Sequence, residues 1–513
     1  MSLRDIVLHA AQTWPDALAV KGPDRSLSYR ELDAYASRFA SCLAQLEMQA
    51  GDRVGIWLEK SALAIAAMQG ILRLNGVYVP LDPLSPSTRI GTIVKDCGIQ
   101  VVITTQSRAK LLRMQETCLP QITYLCLDKG EYGPCWEEFV PSSPQPIIKP
   151  PPSQDDMAYI LYTSGSTGVP KGVCISQRNA LAFIQWAVTA LPVTSTDHFA
   201  NHAPFHFDLS VFDLYVAFSV GASVYLISES MSLYPEQLVD FIRREEISIW
   251  YSVPSVLLLM MQQGDQFVEA SRSLRIILYA GEVFPLKQIR RLCQILASAR
   301  IFNLYGPTET NVCTFYEISD ISLCTNGIPI GRACSGDTVW AQKEDGTPVQ
   351  QGEEGELMVA GPSVMLGYWG KPQQGKRPYA TGDKVLLQED GNYLYRGRYD
   401  SLVKIRGNRV ELGEIEAALE RHPAIQEVAV LAVGTALEAR LIAFVNCLHQ
   451  ASLSLLEIKR YCAEHLPRYM IIDNLQVLPT FPRMSNGKID RNALLHLALK
   501  KLQEENECKE ASL

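Results

Sequence analysis

The chain has 513 residues, more than one hydrophobic core usually serves, so two or more domains are expected. Apolar residues make up 47% and charged residues 20%, the balance of a soluble globular enzyme. The net charge of -8 argues against nucleic acid as the main partner, while leaving room for a local basic site that takes a phosphate.

The N-terminus carries Asp5 and lacks the basic-then-apolar order of a secretory signal. The most apolar segment, Ala62 to Leu72, is interrupted by Gln69 and Gly70 and is too short to span a bilayer. No membrane partner is therefore expected. The 13 cysteines are scattered and form no C-x-x-C pair, which reads as reduced, mostly buried thiols in a cytoplasmic protein.

Ser28, with Glu31 three residues on, sets up a capping box for a first long helix. Arg53 to Trp57, Val77 to Pro80 and Gln100 to Thr104 read as short strands. This alternation predicts an α/β fold with mainly parallel sheets. Pro141 to Ser153 is a Pro-rich connector, read as a surface loop inside one large domain.

Beyond it, the apolar run Met157 to Leu161 predicts a buried strand that leads into Thr163-Ser164-Gly165-Ser166-Thr167-Gly168-Val169-Pro170-Lys171-Gly172. Glycines let such a loop turn its N–H groups toward an anion, the hydroxyls add donors, and Lys171 adds a positive charge. That composition suits a polyphosphate. It is not the G-x-x-x-x-G-K-[ST] loop, and on composition alone a Ser/Gly turn without a ligand fits as well. Strands are expected at Ser223 to Ile227, Ile247 to Tyr251 and Arg275 to Tyr279. Residues 330 to 399, rich in Gly and turns, suggest a small β subdomain.

After Gly397-Arg398-Tyr399-Asp400 the texture changes. Ile415, Ala418 and Leu419 share a helix face, Val428 to Val433 and Leu441 to Val445 read as strands, and Ser454 with Glu457 caps another helix. The expected division is thus a core of residues 1–399 and a compact α+β domain of residues 400–513. The last dozen residues are polar and expected to fray.

Further turns carry chemistry: Asn303-Leu304-Tyr305-Gly306-Pro307-Thr308-Glu309, Thr381-Gly382-Asp383 and Asn486-Gly487-Lys488-Ile489-Asp490. Each alone is ordinary turn composition. Together and in order, with Leu27 to Leu32, Tyr78-Val79-Pro80-Leu81-Asp82-Pro83 and Val403-Lys404-Ile405-Arg406-Gly407, they resemble the adenylate-forming superfamily. Within it the chain is similar to the amino-acid adenylation domains of nonribosomal peptide synthesis, over essentially its whole length.

The resemblance implies a large N-terminal α/β domain and a small mobile C-terminal one. It implies a two-step ligase: a carboxylate attacks the α-phosphorus of Mg-ATP, then a thiol takes the acyl group. Thr163, Ser164, Gly165, Ser166, Thr167, Gly168 and Lys171 would hold the β and γ phosphates. Glu309, helped by Thr308, would hold Mg²⁺. Tyr305 would stack on adenine, with Asn303, Gly281 and Glu282 along its edge. Asp383 would accept from the ribose, with Tyr395 and Arg398 nearby. Lys488 would bridge the carboxylate and phosphate, and Asp400 would be the hinge. The alternatives are that Asp383 merely caps a turn, that Tyr395 is core packing, and that Asp400 is an ordinary loop residue.

By the same resemblance, Asp208 in Phe207-Asp208-Leu209-Ser210 pairs with a substrate α-ammonium, a role that acyl- and aryl-acid activators do not need. Asp213 reads as structural. The implied lining is Asp208, Leu209, Phe212, Tyr251, Leu278, Ala280, Leu304, Val312 and Cys313, apolar apart from its anchor. It is similar to free-standing prolyl-carrier-protein ligases, so L-proline is the expected substrate. Valine or pipecolate remains open, because one methylene discriminates by only about 1–3 kcal/mol. An acyl- or aryl-CoA ligase and a non-catalytic scaffold are the other readings. No carrier segment follows Lys488, so the phosphopantetheine thiol is expected on a separate carrier protein. Gln177 stands where the family has His, Lys384 where it has Leu, and Asn75 where it has Gly.

Overall fold

In a computed structural model the described residues are all except 116–120, 140–147, 166–168, 400–401, 406, 435–438, 449–452, 484–488 and 511–513, with backbone alone for 502–510. The chain forms two units. The first comprises Met1–Pro83, Ile90–Tyr162 and Gly172–Tyr399; the second comprises Leu84–Arg89, Thr163–Lys171 and Asp400–Leu513. Two short segments expected in the N-terminal core therefore group with the second unit.

The first unit is built on three sheets. A seven-stranded sheet centres on Met157–Thr163, Val77–Pro80, Arg53–Ile56 and Val101–Thr104, all parallel. A nine-stranded sheet holds Arg300–Tyr305, Ile276–Tyr279, Ile249–Ser252, His198–Asn201 and Ser223–Leu226 side by side and parallel. Its antiparallel edges are Thr314–Glu317 with Arg332–Ala333, and Ser26–Ser28. The β subdomain expected over 330–399 is a four-stranded antiparallel sheet of Thr338–Gln342, Glu354–Ala360, Tyr379–Leu387 and Tyr393–Arg398.

Alternation along the strands sorts the core. Tyr251 pairs with Leu278, and Leu278 with Phe302, so these side chains share one face of the nine-stranded sheet. They join the largest apolar cluster. Trp250, Ile277 and Ile301, one residue off, enter a second cluster on the other face.

The helix Tyr29–Gln45 starts on the expected Ser28–Glu31 capping box. The helix Ala62–Arg73 is buried along its length, which accounts for its apolar composition. Among the described residues no helix is long and apolar enough to cross a membrane.

The departures from family pattern have local explanations. Asn75 adopts φ 58, a left-handed conformation that Asn tolerates better than most side chains. Its side chain accepts from Arg4 at 3.1 Å and donates to the Pro150 carbonyl at 2.9 Å. Gln177 Oε1 accepts from the Leu3 N–H at 2.9 Å, tying down the start of the helix Leu3–Thr13. Lys384 pairs with Glu354 on the neighbouring strand.

The second unit carries the hairpin Leu402–Ile405 with Asn408–Glu411 and a three-stranded sheet of Ile425–Val433, Arg440–Cys447 and Asn474–Val477. Its helices include Leu412–Leu419 and Leu455–His465, the latter on the expected Ser454–Glu457 box. The terminal helix Arg491–Glu510 runs through most of the segment expected to fray. Lys, Gln and Glu are good helix formers, so a polar composition there does not oppose a helix.

Candidate active site

Four adjacent parallel strands deliver side chains at or just past their C-terminal ends, where open α/β sheets bind ligands. Asp208 follows His198–Asn201, Tyr251 lies on Ile249–Ser252, Leu278 on Ile276–Tyr279 with Gly281 and Glu282 beyond, and Asn303 and Tyr305 on Arg300–Tyr305. Asp208 opens the short helix Leu209–Val211, which continues into a π-helical stretch, Phe212–Val216. Such wide turns are frequent at functional sites.

The Phe212 ring meets Tyr251 edge-on at 5.4 Å and tilts against Phe199 at 5.7 Å. Leu278, Ala280, Leu304 and Val312 belong to the same apolar cluster, with Leu209 packed against it. Burial pushes the Tyr251 phenol well above its ordinary range, and the Asp208 charge pushes it further. Tyr159 is raised by burial, then by Tyr215 and Asp208. Asp208 therefore acts electrically on the aromatic core of the expected substrate pocket. Cys313 stands apart: it packs with Tyr305 in another cluster, its thiol toward the Tyr305 carbonyl at 3.6 Å.

Asp213, the second carboxylate of this stretch, is buried and accepts from Asn201 at 3.0 Å. Burial raises it well above the carboxylate range, with Asn201 and Lys60 opposing. Its contact is internal, as the sequence reading has it.

Asp383 accepts from two sides. The Tyr305 hydroxyl donates to Oδ2, and Arg398 donates to Oδ1 at 2.6 Å and to the Thr381 carbonyl at 3.2 Å. Tyr395 packs in the cluster that holds Tyr305. The Asn303 amide donates to Pro329 at 2.7 Å, and the Glu282 carboxylate accepts from Ser255 N–H at 2.9 Å at the start of the helix Pro254–Met261. Just before Glu282, the backbone at Gly281 takes φ 93, which favours glycine.

The turn 305–311 needs Gly306, where an added Cβ would sit 1.6 Å from the Asn311 carbonyl oxygen. Glu309, fully buried in this turn, accepts from the Tyr368 hydroxyl at 2.6 Å, and its carbonyl accepts from Met365 N–H at 2.8 Å. Tyr368 is a site neighbour that the sequence reading missed. A Gly-Tyr pair in a turn-rich stretch gives no signal of a partner 59 residues away.

Within the second unit, the Gly165 N–H donates to the Glu414 carboxylate at 3.2 Å, and Glu414 pairs with Arg89. Ser164 Oγ donates to the Arg409 carbonyl at 2.7 Å. Thr163 Oγ1 is buried with no hydrogen-bond partner among the described residues. A Cβ at Gly165 would meet the Val169 carbonyl oxygen at 2.1 Å, a close approach that requires glycine there. The loop thus aims an amide at an anion and holds an orphan hydroxyl. Lys171 begins the strand Lys171–Ser176. Ser166, Thr167, Gly168, Asp400 and Lys488 lie outside the described residues.

Known proteins align with this arrangement. Residues 7–369 match the AMP-binding enzyme model, and residues 414–488 match the AMP-binding enzyme C-terminal domain. The chain is 48% identical over 494 residues to an L-proline--[L-prolyl-carrier protein] ligase of Pseudomonas fluorescens, covering 96% of this chain and 98% of the relative. A protein of the same name from Streptomyces coelicolor is 39% identical, with 91% of each chain covered. The adenylation domain AlmE of Vibrio cholerae, solved with glycyl-adenosine-5'-phosphate, shares the fold at TM-score 0.85 and 24% identity, covering 97% of this chain and 98% of that one. The chain belongs to the AMP-binding enzyme family.

Proposed function

We propose that the chain is an ATP-dependent ligase that activates L-proline and loads it on a separate carrier protein. A carboxylate oxygen of proline attacks the α-phosphorus of ATP, the bond to pyrophosphate breaks, and prolyl-AMP forms. The phosphopantetheine thiolate of the carrier then attacks the acyl carbon, and AMP leaves.

The observation that carries this reading is Asp208 beside an aromatic and aliphatic cluster. A buried cation needs a carboxylate partner, and a secondary ammonium serves as well as a primary one. A lining of Phe212 and Tyr251, whose rings meet edge-on, would suit a small apolar ring, and a charged or amide side chain there would go unpaired. The names of the two relatives point the same way.

Asp383 is assigned to the ribose, Tyr305 to the adenine, and Arg398, held on Asp383, to the ribose and α-phosphate. Thr163 to Lys171 is assigned to the β and γ phosphates, and the Thr163 hydroxyl, without a partner among the described residues, suits that role. Glu309 and the Thr308 hydroxyl are an all-oxygen donor pair, which fits Mg²⁺. When bound, that ion would offset charge on the phosphates, and Tyr368 would orient the Glu309 carboxylate. Among the described residues no group of three or more His, Cys, Asp or Glu is placed to hold a metal, so a Mg²⁺ here would be shared with the nucleotide. Lys488 is assigned to the substrate carboxylate in the first step, and Asp400 to the hinge between the core, 1–399, and the mobile domain, 400–513. A cytoplasmic setting belongs to the same reading, the described cysteines being free thiols.

The test is loading. With ATP, Mg²⁺ and proline, mass spectrometry of a phosphopantetheinylated carrier is expected to show a prolyl thioester, and coenzyme A is expected to compete poorly. Efficient prolyl- or acyl-CoA formation without carrier loading would overturn the assignment.

A further inference from the structure

The proposed reaction gives Lys60 no role, yet the residue is only 3% exposed. It sits between the strand Arg53–Ile56 and the helix Ala62–Arg73. Its ammonium donates to the carbonyls of Asn201 at 3.1 Å and His202 at 2.8 Å. These carbonyls mark the point where the strand His198–Asn201 gives way to the turn that leads to Asp208.

The same turn is held at its far end. Asn201 Nδ2 donates to the Ala203 carbonyl at 3.2 Å and to Asp213 Oδ2 at 3.0 Å, and Asp213 lies just beyond Asp208 in the π-helical stretch. Within the turn, Ser210 Oγ donates to the Phe207 carbonyl at 2.6 Å. A cavity of about 10 Å³ bounded by Lys60, Pro204, Phe205, His206 and Glu229 lies under the turn, room for about one water at most. Lys60 is thus packed along the underside of the segment, not merely near its start.

Burying an ammonium is costly unless it is well hydrogen-bonded. Burial pulls Lys60 down to about 8, with Glu229 and then Asp213 opposing, so the group is mainly protonated at neutral pH. Its backbone N–H also donates to Glu229, at 3.2 Å. An apolar side chain would fill this core at lower cost, and the segment the charge holds is the one that carries Asp208.

We propose that Lys60 is a positioning residue for amino-acid binding: its ammonium grips the Asn201 and His202 carbonyls and fixes the turn 202–207 that presents Asp208 to the substrate nitrogen. This deepens the reading of Asp208 given above and rests on it. Removing the charge takes the Lys60 donor from the His202 carbonyl and one of two donors from the Asn201 carbonyl, which keeps the Ile227 N–H at 3.2 Å, and the turn is then free to drift. Because the nucleotide groups lie on other segments, the effect falls on the amino acid.

The test compares Lys60→Met and Lys60→Arg in the full chain by ATP–pyrophosphate exchange, using whichever amino acid the wild type accepts best. Lys60→Met is expected to raise the amino-acid KM about tenfold or more, with the ATP KM within about twofold, and Lys60→Arg to recover most of the loss. An amino-acid KM within about twofold of wild type, or an equal rise in both KM values, overturns the proposal. Amide hydrogen exchange provides a substrate-free reading. In Lys60→Met, or in Lys60→Gln if the former does not fold, faster exchange confined to 202–211 supports the clamp. Unchanged or uniformly faster exchange overturns it. A wild type that activates no amino acid contradicts the Asp208 reading, while the hydrogen-exchange comparison still decides the role of Lys60.

Discussion

At position 208 a half-buried carboxylate opens the stretch that holds Phe212, and its charge acts on the Tyr251 phenol. Asp208→Ala is therefore expected to raise the proline KM by about 30-fold or more, the loss of roughly 2–5 kcal/mol from a buried charge pair, with a smaller effect on the ATP KM. Steady-state exchange kinetics check this, and an unchanged proline KM would remove the ammonium-pairing argument. Tyr368 makes a second case. Its hydroxyl holds the buried Glu309, so Tyr368→Phe is expected to raise the Mg²⁺ concentration for half-maximal exchange severalfold while the proline KM stays put. A titration of Mg²⁺ at saturating ATP and proline measures it. The contrast between these residues shows what a sequence discloses. Asp208 and Glu309 sit in short motifs that the resemblance to a known family singles out, each being ordinary in composition alone. Tyr368 and Lys60 act through contacts 59 and 141 residues away along the chain, and neither stretch has a composition that marks it.

Elements were legible where periodicity was clean. The strands Val77–Pro80 and Ile276–Tyr279 and the Ser28 and Ser454 capping boxes follow directly from pattern and cap chemistry. The strand after the Pro-rich connector runs to Thr163, past the expected Leu161, because the sheet continues to pair residues that are no longer fully apolar. The terminal helix was hidden by its own polarity. Turn geometry is the element-scale feature with the sharpest consequence. At Gly306 any side chain would run into the Asn311 carbonyl, a backbone atom that cannot swing away. Gly306→Ala is expected to destabilise the first unit by about 3 kcal/mol or more and to displace Thr308 and Glu309. Denaturant unfolding checks it; a variant with wild-type midpoint and activity would mean that the turn relaxes freely.

Across the whole molecule, polar groups buried for positioning leave a mark on stability. His202 packs on Trp250 at 5.7 Å, and its buried Nε2 has no hydrogen-bond partner among the described residues. Burial, and then Lys60, lower it from 6.5 to about 3. The folded state therefore resists a proton that the unfolded chain accepts. The stability this linkage gives is fully present above pH 6.5 and is lost as pH falls toward 3. Against a His202→Gln variant, which cannot titrate, the wild type is expected to lose up to about 1.4 kcal/mol more per pH unit between pH 6 and 4.5. Thermal melts of both proteins over that range read the difference, and parallel melts would contradict it.

The central claim concerns which acid the Asp208 pocket accepts. The most direct measurement is ATP–pyrophosphate exchange across the proteinogenic amino acids, pipecolate, and a set of fatty and aryl acids. The account predicts one dominant signal with L-proline and background with the fatty and aryl acids. Exchange driven by an acid with no ammonium, with proline at background, would contradict it.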